Sequence, residues 1–199
     1  MQMSENLNHF LKFKLLPASS KFTVQAFPNG ILAGFGHSPT IGIRDFTGVG
    51  QFVPETFTNA EFQMTVKTSS LTVLDDIKEK DRREIERLMQ DEVLHTATFP
   101  EVHFQSTSIT VTRILPGRYK ARIIGDLTLH GVKRQGLWIL AQVTLVGETL
   151  RAQGDFTLRQ TDYGIKLVSI AAGALRLKDE LKFVFDLVGE PEGNNTNLG

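Results

Sequence analysis

The side chains able to do chemistry in this sequence are histidine, serine and carboxylate, because there are no cysteines. That absence removes thiolate nucleophiles, disulfide frameworks and cysteine metal sites together. Among the five histidines no HxH or HxxxH pair occurs, the spacings that bring two imidazoles to one metal ion. His95 and His103 are eight residues apart with Pro100 between them. Alternation in Val102-His103-Phe104 turns His103 outward, His130 falls in a tight turn, and His9 lies in the N-terminal tail. His37 stands apart, in Phe35-Gly36-His37-Ser38-Pro39, after an apolar strand and before Ile41 to Gly48. A general base there would need a partner, and Ser38 and Asp45 are the nearest in sequence. Three roles stay open for His37: a bond to loop backbone, a polar contact to a ligand head group, and base chemistry. No phosphate loop, G-x-S-x-G elbow or H-E-x-x-H pair is present, and Gly34-Phe35-Gly36 precedes no helical pattern. The pair Asp75-Asp76 is explained by a helix start, where carboxylates favour the positive end of the dipole.

Positioning any of these residues falls to a chain of 199 residues and 22.2 kDa, enough for one large domain. Lysine plus arginine and aspartate plus glutamate both number 22, so the formal net charge is zero. Nothing in that balance suggests phosphate neutralisation, which argues against nucleic acid, and there is no long-range pull toward an anionic membrane beyond local patches. No stretch approaches the roughly 18 apolar residues of a membrane span. A secretory leader has an apolar core of roughly 7–15 residues, and Lys12 and Lys14 interrupt the apolar stretch Phe10 to Leu16. The expectation is a cytoplasmic chain.

Alternation dominates the pattern. Phe22, Val24 and Ala26 share one face of a strand, as do Phe62, Met64 and Val66. Tyr119, Ala121 and Ile123 form another row, which Leu127 and Leu129 continue beyond Gly125. Ala152, Gly154, Phe156 and Leu158 form a fourth, and Phe183, Phe185 and Leu187 a fifth. Each run is apolar on one side and polar on the other, as an antiparallel sheet with one solvated face requires. Turns at Pro28-Asn29-Gly30, Pro116-Gly117, His130-Gly131 and Tyr163-Gly164 separate them. Many short strands of this kind predict a sandwich or a barrel. One amphipathic helix, over about residues 75–92, interrupts the series, with Ile77, Ile85, Leu88 and Met89 on one face. A single domain over 10–190 and a frayed tail over 191–199 complete the organisation.

Fourteen phenylalanines stand against two tyrosines and one tryptophan. Phenylalanine has no polar tip to satisfy, so the set suits either a dry core or the wall of a lipid cavity.

Three blocks sharpen that choice: Phe99-Pro100-Glu101-Val102-His103-Phe104, then Gly125-Asp126-Leu127-Thr128-Leu129-His130-Gly131-Val132, then Arg159-Gln160-Thr161-Asp162-Tyr163-Gly164-Ile165. In this order and spacing they resemble the YceI-like family, bacterial proteins whose lipocalin-like barrel holds a long isoprenoid lipid. The resemblance spans about residues 20–188. It implies an all-β fold with minor α, an antiparallel lipocalin-like β-barrel, and no catalytic residue. It implies no cofactor apart from a bound isoprenoid or fatty-acid-like lipid.

The expected lining, read from alternation on that template, is Phe35, Phe46, Phe62, Met64, Phe104, Ile123, Leu127, Leu129, Trp138, Leu140, Phe156, Leu158, Phe183 and Phe185. His37 and Arg44 are the expected head-group contacts. The strand Leu137 to Leu145 begins apolar in both parities, and the family template turns Trp138 and Leu140 inward. Leu137, Ile139, Ala141, Val143 and Leu145 would then form an outward apolar row, covered by the helix or by a second subunit of a homodimer. The function this reading predicts is non-enzymatic binding of a long apolar or amphipathic ligand, for storage, transport or stress response. The alternatives are an enzyme acting on a small apolar substrate near His37, and a packed barrel working only through protein contacts.

Overall fold

The computed structural model describes residues 10–29, 38–54, 56–170 and 175–192. Among them the alternating runs form β1 (Leu11–Leu15), β2 (Lys21–Asn29), β3 (Thr40–Ile43), β4 (Phe46–Phe52), β5 (Glu61–Lys67) and β6 (Leu71–Val73). The series continues with β7 (Glu101–Leu115), β8 (Arg118–Leu129), β9 (Val132–Val146), β10 (Thr149–Arg159), β11 (Ser169–Ile170) and β12 (Leu175–Pro191). One α-helix, α1 (Glu79–Leu88), lies between β6 and β7.

Three pairs of short strands are single staves bent at a corner. β1 and β2 meet at a 3₁₀ turn, Pro17–Ser19, while β12 runs straight past both. Pro17 has no N–H to give a ladder, and Ser20 takes over. Its hydroxyl donates to Leu16 O at 2.7 Å and accepts the Val188 amide at 2.9 Å. β3 and β4 meet at Arg44-Asp45, and β5 and β6 at the turn Thr68–Ser70. These two corners are tied together, for the Asp45 amide donates to Ser70 Oγ at 3.0 Å and the Lys67 amide to Asp45 O at 3.0 Å. Counted by stave, the structure is an eight-stranded antiparallel barrel, closed where β12 pairs with β10 on one side and with β2 and β1 on the other. The last stave runs through Pro191, which pairs with Phe13, so that residue belongs to β12 and not to the expected tail.

Among the described residues the ring has a seam at β6. β6 pairs with β3 on one edge only, and α1 lies along the other. There Glu86 Oε1 accepts the Val73 amide at 2.9 Å, and the Arg82 guanidinium donates to the carbonyls of Val73 and Asp75. Ile77, Ile85 and Met89 pack against Val24, Ile41 and Val73, so the apolar stripe of the helix faces the barrel. The helix is shorter than its sequence pattern. It begins at Glu79, with Glu79 and Asp81 in its first turn, and passes into a π-turn at Met89–Val93. Asp75 and Asp76 precede it. Asp75 instead accepts the Thr40 amide at 2.8 Å.

A second irregularity decides which side chains reach the interior. Between the pairs Gly125–Leu137 and Leu127–Arg134, one residue of β8, Asp126, faces two of β9, Gln135 and Gly136. The extra residue is a bulge in which Gly136 takes φ +78°, a left-handed conformation that glycine adopts without strain. Beyond it, Leu137, Ile139, Ala141 and Val143 pair with Gly125, Ile123, Ala121 and Tyr119. Directly paired residues share a face of the sheet, so these odd-numbered β9 side chains point inward with the inner row of β8. Trp138 and Leu140 point outward and are 57% and 58% exposed. The inward orientation expected for them is corrected here, and so is the outward dimer row Leu137, Ile139, Ala141, Val143 and Leu145, whose side chains face the interior. Parity counted from Val132, which pairs with Leu129, would carry Trp138 and Leu140 inward; the bulge reverses it.

The barrel end that carries α1 is further closed by a 3₁₀ turn, Gln160–Tyr163, ended by Gly164 in the left-handed region. The turn buries Tyr163 and Ile165, and burial pushes the Tyr163 phenol up from its ordinary value. Asp179 fixes it by accepting from both the amide and the hydroxyl of Thr161, at 2.8 and 2.7 Å.

Candidate functional site

The inward rows enclose an elongated cavity of about 640 Å³. Its wall is built by every stave and by the apolar stripe of α1 and the π-turn, through Ile85, Leu88, Met89 and Val93. Among the described residues no lysine, arginine or histidine lines it. Thr68 and Gln160 reach the wall, but each donates to backbone: Thr68 Oγ1 to Phe99 O at 3.0 Å, and Gln160 Nε2 to Lys178 O at 2.9 Å. The ionisable side chains of the lining gather at the two ends, Asp75 and Asp81 by the helix, Glu61 and Tyr119 at the other mouth. Such a wall offers an occupant dispersion contact and exclusion of water, with fixed polar partners only near the ends.

Ten of the sequence-predicted residues stand on this wall: Phe62, Met64 and Phe104 from β5 and β7, Ile123, Leu127 and Leu129 from β8, and Phe156, Leu158, Phe183 and Phe185 from β10 and β12. The rings of Phe156 and Phe183 stack with centroids 4.8 Å apart and planes 5° from parallel. Phe46 is buried in the packed core, edge-on to Phe22 at 6.1 Å, and does not reach the cavity surface. Arg44 is exposed on the outside of the β3–β4 corner, beside Gly42 and Leu74, and does not approach the cavity. Ile43 and Phe46 both point inward across that corner, which leaves the two residues between them outside. Phe35 and His37 lie outside the described residues.

The mouth opposite the helix holds aromatic residues absent from the expected lining. Phe13 stacks on Phe52 at 5.7 Å, Phe52 meets Phe57 at 5.3 Å, and Phe57 meets Tyr119 at 4.6 Å. Phe57 hangs from the β4–β5 loop with φ +55° and reaches β8, two staves beyond β5 in the sheet order. No periodicity marks a loop residue of this kind. The alternation Leu11-Lys12-Phe13-Lys14-Leu15, by contrast, was available as a strand signal for Phe13 and Leu15.

The described histidines, His95, His103 and His130, stand outside the cavity. His103 is on the outer wall, with Thr65 Oγ1 at 3.1 Å and Glu101 at 3.3 Å. His95 Nδ1 and His130 Nε2 are 3.0 Å apart where the connection after the π-turn meets the β8–β9 turn, and the Phe99 ring packs against His130 with centroids 4.4 Å apart and planes tilted by 56°. Sequence spacing gave no sign of this pair, which is formed by residues 35 positions apart. Among the described residues no group of three or more histidine or carboxylate side chains is arranged to hold a metal ion.

The same architecture recurs in solved structures. BcnA of Burkholderia cenocepacia superposes with a TM-score of 0.67 at 17% identity, over 87% of this chain and 98% of that one. A polyisoprenoid binding domain from Saccharophagus degradans gives a TM-score of 0.65 at 16% identity, over 92% of this chain and 99% of that one. At the level of sequence, a UPF0312 protein of Pseudomonas savastanoi pv. phaseolicola is 29% identical over 150 residues, 71% of each chain. The YceI-like domain matches residues 13–189, from the first inward phenylalanine of β1 to the last glycine of β12, and so takes in every stave of the barrel. This chain belongs to the YceI-like family.

Proposed function

We propose that this protein holds a long apolar or amphipathic lipid, of the isoprenoid or acyl class, inside its barrel and stores or carries it unchanged. The observation behind this is the cavity wall: apolar side chains along its length, with the ionisable lining at the ends. A chain buried there gains about 0.8 kcal/mol per CH₂ removed from water. The reading is supported by the likeness to a domain described as polyisoprenoid binding, whose fold this chain shares.

Native mass spectrometry of the purified protein, followed by organic extraction, tests it. The expected result is an adduct of several hundred daltons that extracts as a prenyl or acyl lipid, or uptake of such a lipid on incubation. A bare mass that persists after incubation with isoprenoid quinones and fatty acids would overturn it.

A further inference from the structure

The mouth opposite the helix is framed by two hairpin tips. The β7–β8 tip carries Ile114 and Leu115, 57% and 55% exposed, and the β9–β10 tip carries Val146, 70% exposed. The tips are neighbours, because the Leu145 amide donates to Gly117 O at 2.8 Å. Large aliphatic side chains at adjoining turn tips have no folding role that explains their exposure.

Arg113 and Arg118 flank the first tip, and Lys120 and Arg122 continue a basic row down the outer face of β8. Among the described residues none of these four has a carboxylate partner within 4.0 Å, whereas Lys14, Lys67, Lys133, Arg151 and Arg159 all do. Arg122 lies over the Trp138 ring at 5.7 Å, so a further exposed apolar group joins the foot of the row. The carboxylates on this side of the fold are Glu148, on the second tip, Glu61, at the mouth, and Asp155, which lies across Leu140 from Arg122. Four cations without a carboxylate partner thus stand beside or below exposed aliphatic tips at one end of a protein whose net charge is zero.

The cavity wall also reaches that end. Tyr119 is next to Arg118 and Leu145 next to Val146, and both line the wall. Aliphatic tips inside a basic margin are the arrangement by which a peripheral protein seats on an anionic bilayer: apolar groups enter the acyl boundary while cations meet phosphates. We propose that this end of the barrel docks on an anionic lipid bilayer, with Ile114, Leu115 and Val146 entering it, Arg113, Arg118 and Lys120 on the head groups, and the Phe57–Tyr119 mouth facing the membrane.

Co-sedimentation of the full chain with vesicles tests this, using phosphatidylcholine alone and phosphatidylcholine mixed with phosphatidylglycerol. Binding is expected to the mixed vesicles, weakening as salt rises. Arg113→Glu with Arg118→Glu should lower it by about tenfold or more, since each surface cation contributes on the order of 1 kcal/mol. Ile114→Ser, Leu115→Ser and Val146→Ser together should abolish it, with circular dichroism confirming the fold, while Lys182→Glu on β12 leaves it unchanged. Absence of binding to either vesicle overturns the proposal, as does binding indifferent to both sets of substitutions. A dimer in sedimentation velocity that the triple serine variant dissolves, without vesicle binding, would assign the tips to a second copy and equally overturn it. Vesicle binding is read whether or not the barrel is loaded, so its failure leaves the lipid-cavity reading to stand or fall by mass spectrometry.

Discussion

Glu86 accepts the backbone amide of Val73 at 2.9 Å, so a helix side chain supplies the acceptor that a neighbouring strand would have given. Glu86→Ala should leave that half-buried amide without a protein partner and cost about 1–2 kcal/mol. Glu86→Gln keeps an oxygen in place and should stay close to the parent. Urea unfolding gives the stability difference, and hydrogen exchange at Val73 shows whether the loss is local to the seam.

The parity of β9 can be read from its lone tryptophan. Trp138 is outward, so iodide should quench its fluorescence freely whether or not a lipid is bound, and Trp138→Ser should leave stability within about 0.5 kcal/mol. Ile139 is on the cavity wall, and Ile139→Arg should abolish lipid uptake by placing an unpaired charge in apolar surroundings. Titration of both variants with a fluorescent fatty acid distinguishes them. Equal loss in the two would mean that the register is wrong.

Gly125 lies in the inner row of β8, and the Phe104 ring occupies the space a Cβ would need, with Gln105 O at 2.6 Å from that position. Gly125→Ala must displace the ring or the strand, and overpacking of this kind costs about 1–3 kcal/mol. Gly136→Ala meets nothing within 4 Å and bears only the left-handed backbone strain, about 1 kcal/mol. Thermal unfolding of the two variants should therefore rank Gly125→Ala lower.

Acid should weaken the fold through two aspartates on β12. Hydrogen bonds from Thr161, and then the Arg159 guanidinium, hold Asp179 below the usual carboxylate range. A hydrogen bond from Arg151, aided by Gln153, does the same for Asp186. A carboxylate depressed in the folded state stabilises it above the unfolded value, about 3.9 for aspartate, and that contribution disappears as pH falls through the folded value. Stability measured in urea should decline on acidification through this range, and Asp186→Asn should flatten the decline.

The barrel was legible because its strands have one wet and one dry face, and period-2 alternation records that directly at Phe62-Met64-Val66 and Phe183-Phe185-Leu187. The failure at Trp138 and Leu140 has the same origin. Alternation is a phase, and one bulge shifts the phase for all that follows. Gly136 was the visible sign of it, a glycine inside a strand where the polar run Lys133-Arg134-Gln135 gives way to the apolar run from Leu137. Arg44 was misplaced because a corner between two inward residues obeys no alternation. Phe57 and the His95–His130 pair depend on loops meeting across the fold, which local pattern does not encode.

The seam at β6 bears on the girth of the barrel. In a ring laddered all the way round, circumference is set by strand number and shear, and widening it means breaking a row of hydrogen bonds. Here the helix end is a split collar. Its clasp is a few side-chain bonds from Glu86 and Arg82 together with an apolar contact, so parting it there would break no strand-to-strand ladder and leave every strand in register.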